Sequence, residues 1–240
     1  MTRQQIRSPR FALTLIAATL SFAGAAQAGP PLICHPIEIG QAKSLPWISH
    51  SWNLSGGENY DTKNLIQDTL EILAPDTPVL VRMETLRRAT LYARKDPVAA
   101  KELLARLHAR ATSAESSGHP DALAWFDVGY LAETYKQWIG QNLPHMTDGM
   151  RMDANPAAGV DGYALVKKAL ALRSASLHGD DPQMEFAAAL ISLSGPQEEH
   201  RHHAKKAITG AKTDSLLAQN LSAHFIGPQT ETMSQLFVKN

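Results

Sequence analysis

The sequence predicts an all-α fold in which about eight helices form stacked antiparallel hairpins, preceded by an extended N-terminal arm. Two observations support this fold class. From Asp61 onward, apolar residues recur at every third or fourth position, which is the spacing of one helix face. Short joints rich in Gly, Pro and Asp separate these periodic segments, and none of the segments alternates as a half-buried strand does. Because short joints make consecutive helices antiparallel neighbours, residues 61–240 are expected to form one helical domain.

Residues 1–28 have the features of a secretory signal peptide. Their front is basic and lacks acidic residues, and an apolar run follows from Phe11 to Ala26. Ala26-Gln27-Ala28 then fits the small-x-small cleavage pattern. The apolar run is shorter than the roughly 18 residues that a lasting membrane span needs. We therefore expect an exported protein, periplasmic or secreted, that begins near Gly29 and keeps no membrane span.

The charge balance gives no reason to expect a nucleic-acid partner. The whole chain has 23 basic and 23 acidic residues, and removal of three arginines with the signal peptide leaves 20 basic residues against 23 acidic ones. Binding to nucleic acid depends on Lys and Arg side chains that neutralise phosphates. A weakly acidic chain without a basic patch lacks that feature.

The one cysteine, Cys34, lies near the start of the predicted arm (residues 29–60), with His35 directly after it. A single cysteine cannot form an internal disulfide, so the stability of the exported chain must come from its core. We interpret Cys34 as a buried structural residue. Lipid attachment, haem attachment and a catalytic thiol are the alternatives. Lipid attachment needs a small residue directly before the cysteine, where this chain has Ile33, and haem attachment needs a first cysteine, where it has Pro31. A catalytic thiol needs a base on the same side of the chain, whereas adjacent side chains of an extended segment point to opposite sides.

The rest of the arm shows no helical period. Pro46 and the Gly56-Gly57 pair predict an extended chain with a turn. Trp47 and Trp52 are expected to pack on the helical domain, because burying a large apolar side chain stabilises by about 1.5–3 kcal/mol relative to leaving it exposed.

Capping residues mark several of the predicted helix starts. Asp61 precedes the first helix, which is expected to reach about Leu73. Asp76-Thr77-Pro78 opens the second helix and Asp96-Pro97 the third, each with a capping side chain before a proline at the first helical position, where its missing N–H costs nothing. Met184–Leu193 is apolar nearly all round, which indicates a central helix. The later segments predict helices at 123–138, Val160–Arg173, Pro182–Leu193, Gln197–Thr209 and Asp214–Phe225, with a long loop near 140–158.

Two short segments resemble parts of a tetratricopeptide repeat. Trp125-x2-Val128-Gly129 is similar to the opening of the first helix of that repeat, with Ala132 where the family has tyrosine, and Lys168–Leu172 is similar to the end of its second helix. The resemblance implies a scaffold of stacked hairpins whose groove binds peptides or partner proteins. The opening "CHPIEIG…AKSLPW" also resembles the start of uncharacterised exported bacterial proteins, which implies no function.

The leading functional prediction is an exported scaffold that binds a protein or peptide partner and catalyses no reaction. The helix at 123–138 carries aromatic residues on more than one side. Its larger rings, together with the loop that follows, are the candidate partner-binding groove. These rings are Trp125, Tyr130, Tyr135 and Trp138.

The runner-up is a metal-handling protein that uses methionine and histidine ligands. His145, Met146, Met150 and Met152 lie in the predicted loop, and soft thioether and imidazole ligands suit Cu(I). His200, His202 and His203 form a second cluster, "EEHRHH", that could hold zinc or copper.

The alternative for both clusters is structural. His200 then faces inward with neighbouring alanines, its neighbours face solvent, and the methionines fill gaps. The leading prediction and the structural interpretation require no cofactor, whereas the metal hypothesis would involve copper or zinc.

The standard enzyme signatures are missing from the sequence. There is no dinucleotide-binding glycine motif, P-loop, nucleophile elbow, His-Glu-x-x-His motif or calcium loop. No residue is therefore assigned a catalytic role. A hydrolase of unrecognised type or a haem protein is the third hypothesis, because acids and bases can converge from distant helices.

Overall fold

The computed structural model describes residues 30–47, 54, 57, 59–139, 152–226 and 231–232. Within these residues the chain forms nine helices, which confirms the all-α class, and one ladder of two-residue strands. The predicted signal peptide and much of the predicted loop at 140–158 lie outside the described residues. The helices are α1 (Pro31–Cys34), α2 (Leu65–Ile72), α3 (Val79–Ala93), α4 (Pro97–Ser116), α5 (Ala122–Ile139), α6 (Gly162–Leu177), α7 (Pro182–Ile191), α8 (Gln197–Gly210) and α9 (Ser215–Ala223).

The remaining elements are short. Single 3-10 turns at Thr62–Asn64 and Ser192–Ser194 precede α2 and follow α7. β1 (Phe225–Ile226) pairs antiparallel with β2 (Glu231–Thr232). The last helix therefore ends at Ala223, two residues before its predicted end, because the chain turns into this ladder.

Aspartate caps place most helix starts close to where the sequence predicted them. Asp96 accepts hydrogen bonds from two backbone N–H groups at 3.0 Å, and Pro97 occupies the first position of α4. Asp161, Asp181 and Asp214 cap α6, α7 and α9 in the same way. Each cap satisfies N–H groups that have no partner inside the helix, which typically stabilises by about 1 kcal/mol.

α5 and α6 form a closely packed hairpin in which the two backbones touch. A Cβ atom added at Gly129 of α5 would lie 2.6 Å from the carbonyl oxygen of Gly162 of α6. One added at Gly162 would lie 2.5 Å from the oxygen of Gly129. Further along, Lys168 Nζ lies 3.8 Å from the centroid of the Trp125 indole. As α5 residue numbers fall, their α6 partners rise, so the two helices are antiparallel.

α7 is the central helix that its apolar sequence predicted. Its residues from Met184 to Leu190 are all buried. α8 runs antiparallel to α7, with His203 beside Glu185 and His200 beside the carbonyl of Ala189. The core therefore lies between α7 and the neighbouring helices α3, α5 and α8.

The N-terminal segment lies across α3 and is held there by charged side chains. After the turn of α1 the segment is extended. Glu84 accepts a 2.9 Å hydrogen bond from the N–H of Ile37. Arg87 and Arg88 donate to two carbonyls of the segment at 3.0 and 2.7 Å. Backbone polar groups next to a core need partners, and α3 supplies them from its side chains.

This arrangement explains two of the three fully buried charged residues of α3, Glu84 and Arg87, whereas the third, Arg82, bonds to α5 and to the loop before α3. Arg82, Glu84 and Arg87 all have a relative exposure of 0%. Arg87 Nε lies 2.7 Å from Glu84 Oε2, and Arg82 Nη1 lies 2.5 Å from Asp127 Oδ2 of α5. The apolar stripe predicted for this helix is thus only part of its buried surface, because these charges are paired and hydrogen-bonded inside the protein.

Among the described residues, no helix has both the length and the apolar composition needed to cross a bilayer.

Candidate functional site

The aromatic residues of α5 lie inside the helical domain. Tyr130, Tyr135 and Trp138 are fully buried, and Trp125 is 5% exposed. Trp138 Nε1 donates to Thr90 Oγ1 at 2.9 Å, and the hydroxyl of Tyr135 donates to a carbonyl of α4 at 3.1 Å. The four rings tie α5 to its neighbours. They do not line an open groove, because the surrounding helices cover them.

The three histidines of α8 have separate environments. His200 is buried and its Nδ1–H donates to the carbonyl of Ala189 at 2.8 Å, while His202 is exposed. His203 is buried as well, against the expectation that it faces solvent, because its Nδ1 bonds to Glu185 Oε2 at 2.5 Å. Burial lowers the pKa of His200, so its imidazole is neutral near pH 7.

The predicted methionine ligands are only partly described. Met152 is 5% exposed and belongs to the core, and its N–H donates to the carbonyl of Trp138 at 3.3 Å. His145, Met146 and Met150 lie outside the described residues. Across the described part of the chain, no group of three or more His, Cys, Asp or Glu side chains could hold a metal ion. The metal hypothesis stays a prediction that rests on the sequence alone.

Glu185, His203 and Tyr163 form a hydrogen-bonded chain across three helices. The hydroxyl of Tyr163 lies 2.8 Å from His203 Nε2, on the side of the ring opposite Glu185. Lys206 Nζ lies 3.0 Å from the second oxygen of Glu185. Burial and the nearby carboxylate of Glu199 raise the pKa of Tyr163 to about 12. The tyrosine therefore keeps its proton near pH 7, and the chain joins α6, α7 and α8.

Cys34 lies in a buried region beneath the N-terminal segment. Burial raises the pKa of its thiol to about 11, partly opposed by the charge of Arg87. A thiol with such a pKa is protonated near pH 7, whereas a catalytic cysteine needs a depressed pKa. This environment agrees with the structural interpretation of Cys34.

His224 is another buried titratable residue, and it lies beside His35. Its ring centroid lies 5.7 Å from that of His35, and its Nδ1–H donates to the carbonyl of Asn220 at 2.7 Å. Burial lowers the pKa of His224 to about 4. The imidazole therefore stays neutral in the folded protein down to mildly acidic pH.

A groove of about 540 Å³ lies between the N-terminal segment and the start of α3, and we call it the first groove. One wall is the extended segment 42–46, and the other is α2 together with Tyr60 and the loop at 76–78. Its apolar lining includes Leu45, Ile72 and Val81. A groove of this volume falls within the usual range for ligand sites.

Hydrogen bonds from the core hold both walls of the first groove. Arg88 donates to the carbonyl of Leu45, and Tyr92 donates to that of Pro46. On the other side, Arg82 Nε donates to the carbonyl of Thr77 at 3.0 Å. Since both walls are fixed to α3, the shape of the groove is largely set before any ligand binds.

The first groove also presents unpaired backbone groups. The N–H and C=O groups of Lys43 and Ser44 form no hydrogen bond to another described residue. Residues 42–44 belong to no helix, strand or turn, so their main-chain groups are not committed to regular secondary structure. Free main-chain groups of this kind can pair with an added strand. The wall therefore offers main-chain partners to an extended ligand.

A second cleft of about 430 Å³ lies where the N-termini of α3, α7 and α9 meet. It shares the loop residues 76–78 with the first groove. Apart from Asp76, its charged groups and Gln183 already have partners. Gln183 accepts from Leu80 N at 3.2 Å and donates to Asp214 at 2.6 Å. Arg173 Nε pairs with Asp181 Oδ2 at 3.0 Å. These hydrogen bonds and ion pairs satisfy polar groups at the helix N-termini, so few of those groups remain free to bind a ligand.

The sequence interpretation did not find the first groove. Its residues come from the arm, from α2 and from a helix start, and no short motif connects them. Asp76-Thr77-Pro78 was recognised only as a capping sequence. The one signal was the extended arm itself, because an arm that packs on a helical domain creates a seam along its edge.

Comparisons of the chain with protein-family models, with curated proteins and with solved structures find no match. The resemblance to tetratricopeptide repeats therefore stays a prediction. The argument for function rests on the geometry of the chain itself.

Proposed function

We propose that this protein is an exported helical scaffold that binds an extended segment of a protein or peptide partner in the first groove. The observation that carries the proposal is a fixed, partly apolar groove with a wall on which the backbone groups of Lys43 and Ser44 bond to no other described residue. Export rests on the signal-peptide features of residues 1–28.

The rigidity of the groove favours binding. Association costs free energy when loops and side chains become ordered, and a site that is already held in shape avoids much of that cost. Both walls of the first groove are bonded to α3, so its walls need little ordering on binding. Main-chain hydrogen bonds would supply affinity, and the accessible apolar side chains of Pro46 and Ile72 would select residues of the partner.

The test is a binding screen with a matched pair of variants. Displayed libraries of short peptides are selected on the purified chain, and the dissociation constants of enriched peptides are measured by fluorescence anisotropy. Ala42→Trp places an indole at the exposed edge of the first groove. Ala175→Trp makes the same change at an exposed position of α6 and serves as the control.

We expect peptides to bind the wild type and Ala175→Trp equally, and to bind Ala42→Trp at least about tenfold more weakly. Circular dichroism and unfolding curves establish that both variants keep the fold. If no peptide is enriched, or if the two variants bind alike, the first groove is not a peptide site and the proposal fails.

A further inference from the structure

The charges around three clefts lined by described residues differ in one respect. The second cleft uses its carboxylates to cap helices and to pair Arg173. A third cleft, of about 550 Å³ between α2 and α4, contains Glu102 paired with Arg106 at 3.2 Å. The second cleft shares Asp76 with the first groove and the third shares Glu71 with it, whereas their other carboxylates face bonded partners within the protein.

The first groove instead has an excess of carboxylates. Asp68, Glu71 and Asp76 line it, against a single cation, Lys43. Asp76 is exposed and has no hydrogen bond or ion pair to another described residue. Asp68 accepts a 2.7 Å bond from the hydroxyl of Tyr60, which leaves its other oxygen unbonded.

The carboxylates are spaced along the groove and are not gathered at one point. Asp68 and Glu71 belong to α2, and Asp76 belongs to the loop before α3. No group of three such side chains among the described residues could hold a metal ion. An ammonium or guanidinium group on an extended chain reaches charges spaced in this way, because alternate side chains of a strand point to the same side.

We infer that the partner segment bound in the first groove is basic, with Lys or Arg side chains facing α2 and the 76–78 loop and small or apolar side chains between them. This inference rests on the proposed function, since it names the chemistry of the ligand for the same site. The unpaired backbone of Lys43 and Ser44 aligns the segment, and the excess of carboxylates selects its charge.

The experiment compares three synthetic peptides that differ only in charge. Each has apolar and small residues at alternate positions, and the intervening positions are Lys, Gln or Glu. Their dissociation constants for the full chain are measured by fluorescence anisotropy at low and at high salt. Asp76→Lys reverses one charge in the first groove, and Asp153→Lys makes the same change at an exposed residue outside it.

We expect the Lys peptide to bind at least about tenfold more tightly than the Glu peptide, with a difference that shrinks at high salt because exposed charges are screened. Asp76→Lys is expected to weaken binding of the Lys peptide roughly three- to tenfold and to leave the Gln peptide unaffected, while Asp153→Lys changes neither.

Two results would overturn the inference and are distinguishable from each other. If all three peptides bind equally and Ala42→Trp still weakens them, the groove is a peptide site without charge selection. In that case the basic-partner inference fails and the proposed function survives. If none of the three peptides binds at either salt concentration and the displayed libraries yield no groove-dependent binder, both fail.

Discussion

Replacement of Gly129 by alanine tests the close approach of α5 and α6. The added Cβ would lie 2.6 Å from the carbonyl oxygen of Gly162 and 2.9 Å from the backbone nitrogen of Val166. Ordinary van der Waals contact begins at 3.4 Å. The obstructing atoms belong to the backbone of α6, so a side-chain rotation cannot relieve the overlap. The two helices must separate by about 0.8 Å or the local backbone must bend.

Two opposing effects set the size of the change in stability. Overpacking of this kind costs about 1–3 kcal/mol, and backbone overlap places Gly129→Ala near the upper end of that range. Alanine is favoured over glycine inside a helix by about 1 kcal/mol. We therefore expect the free energy of unfolding to fall by about 2 kcal/mol. For a chain of this size that corresponds to a fall in Tm of roughly 4–8 °C.

Urea unfolding followed by circular dichroism measures this change, with Gly179→Ala as the matched control. A Cβ at Gly179 meets no atom within 4 Å. The control is expected to be neutral or to stabilise slightly, because alanine restricts the unfolded chain. If Gly129→Ala is as stable as Gly179→Ala, the backbones do not touch and the packing described for this hairpin is wrong.

The double variant Gly129→Ala/Gly162→Ala sharpens the test. Both added methyl groups enter the same contact, so separation of the helices for one of them makes room for the other. The two losses should therefore add to less than their sum, as expected for residues that share a contact. Strict additivity would mean that each substitution destabilises the protein through a different contact.

Three further changes test the buried polar groups. Arg87→Met leaves Glu84 with one cationic partner in the core. We therefore expect the free energy of unfolding in urea to fall by about 3–5 kcal/mol and the N-terminal segment to be cleaved faster by proteases. Unchanged stability would contradict this role of Arg87. Asp181→Ala removes the cap of α7 and should cost about 1 kcal/mol by the same assay, whereas Asp181→Asn should cost less. Burial lowers the pKa of His224 from 6.5 to about 4, so between these pH values the unfolded chain binds a proton that the folded chain does not. Wild-type stability should therefore fall by up to about 3 kcal/mol more than that of His224→Phe as the pH is lowered from 6.5 to 4, and parallel stability–pH curves would refute the buried neutral imidazole.

The helices could be predicted from the sequence because their signals are local. Asp96, Asp181 and Asp214 each stand just before an apolar period, and all three cap helices in the structure. The central position of α7 also followed from its own residues, since a helix that is apolar on every side must be enclosed. These features depend on side chains within one or two turns of each other, which a single sequence displays directly.

The environment of charged and polar residues could not be predicted in the same way. The sequence predicted that His203 faces solvent as His202 does, but a hydrogen bond to Glu185 of the preceding helix holds it in the core. Arg82 and Glu84 lie in a helix whose apolar stripe placed them outside. Their partners are distant in sequence or belong to a segment without regular structure. Hydrophobic periodicity does not predict such pairs, because it shows only which residues are apolar.

The polar side chains of α3 explain why the first groove could not be predicted from the sequence and why it has a fixed shape. α3 buries Glu84 and Arg87 because the N-terminal segment crosses it and needs hydrogen-bond partners that another helix would not need. Arg88 and Tyr92 hold one wall of the groove, and Arg82 holds the other. The buried polar network of α3 therefore both anchors the arm and shapes the seam beside it. Loss of that network should weaken the proposed binding of a peptide even where the helices remain folded, since the walls would no longer be held in place.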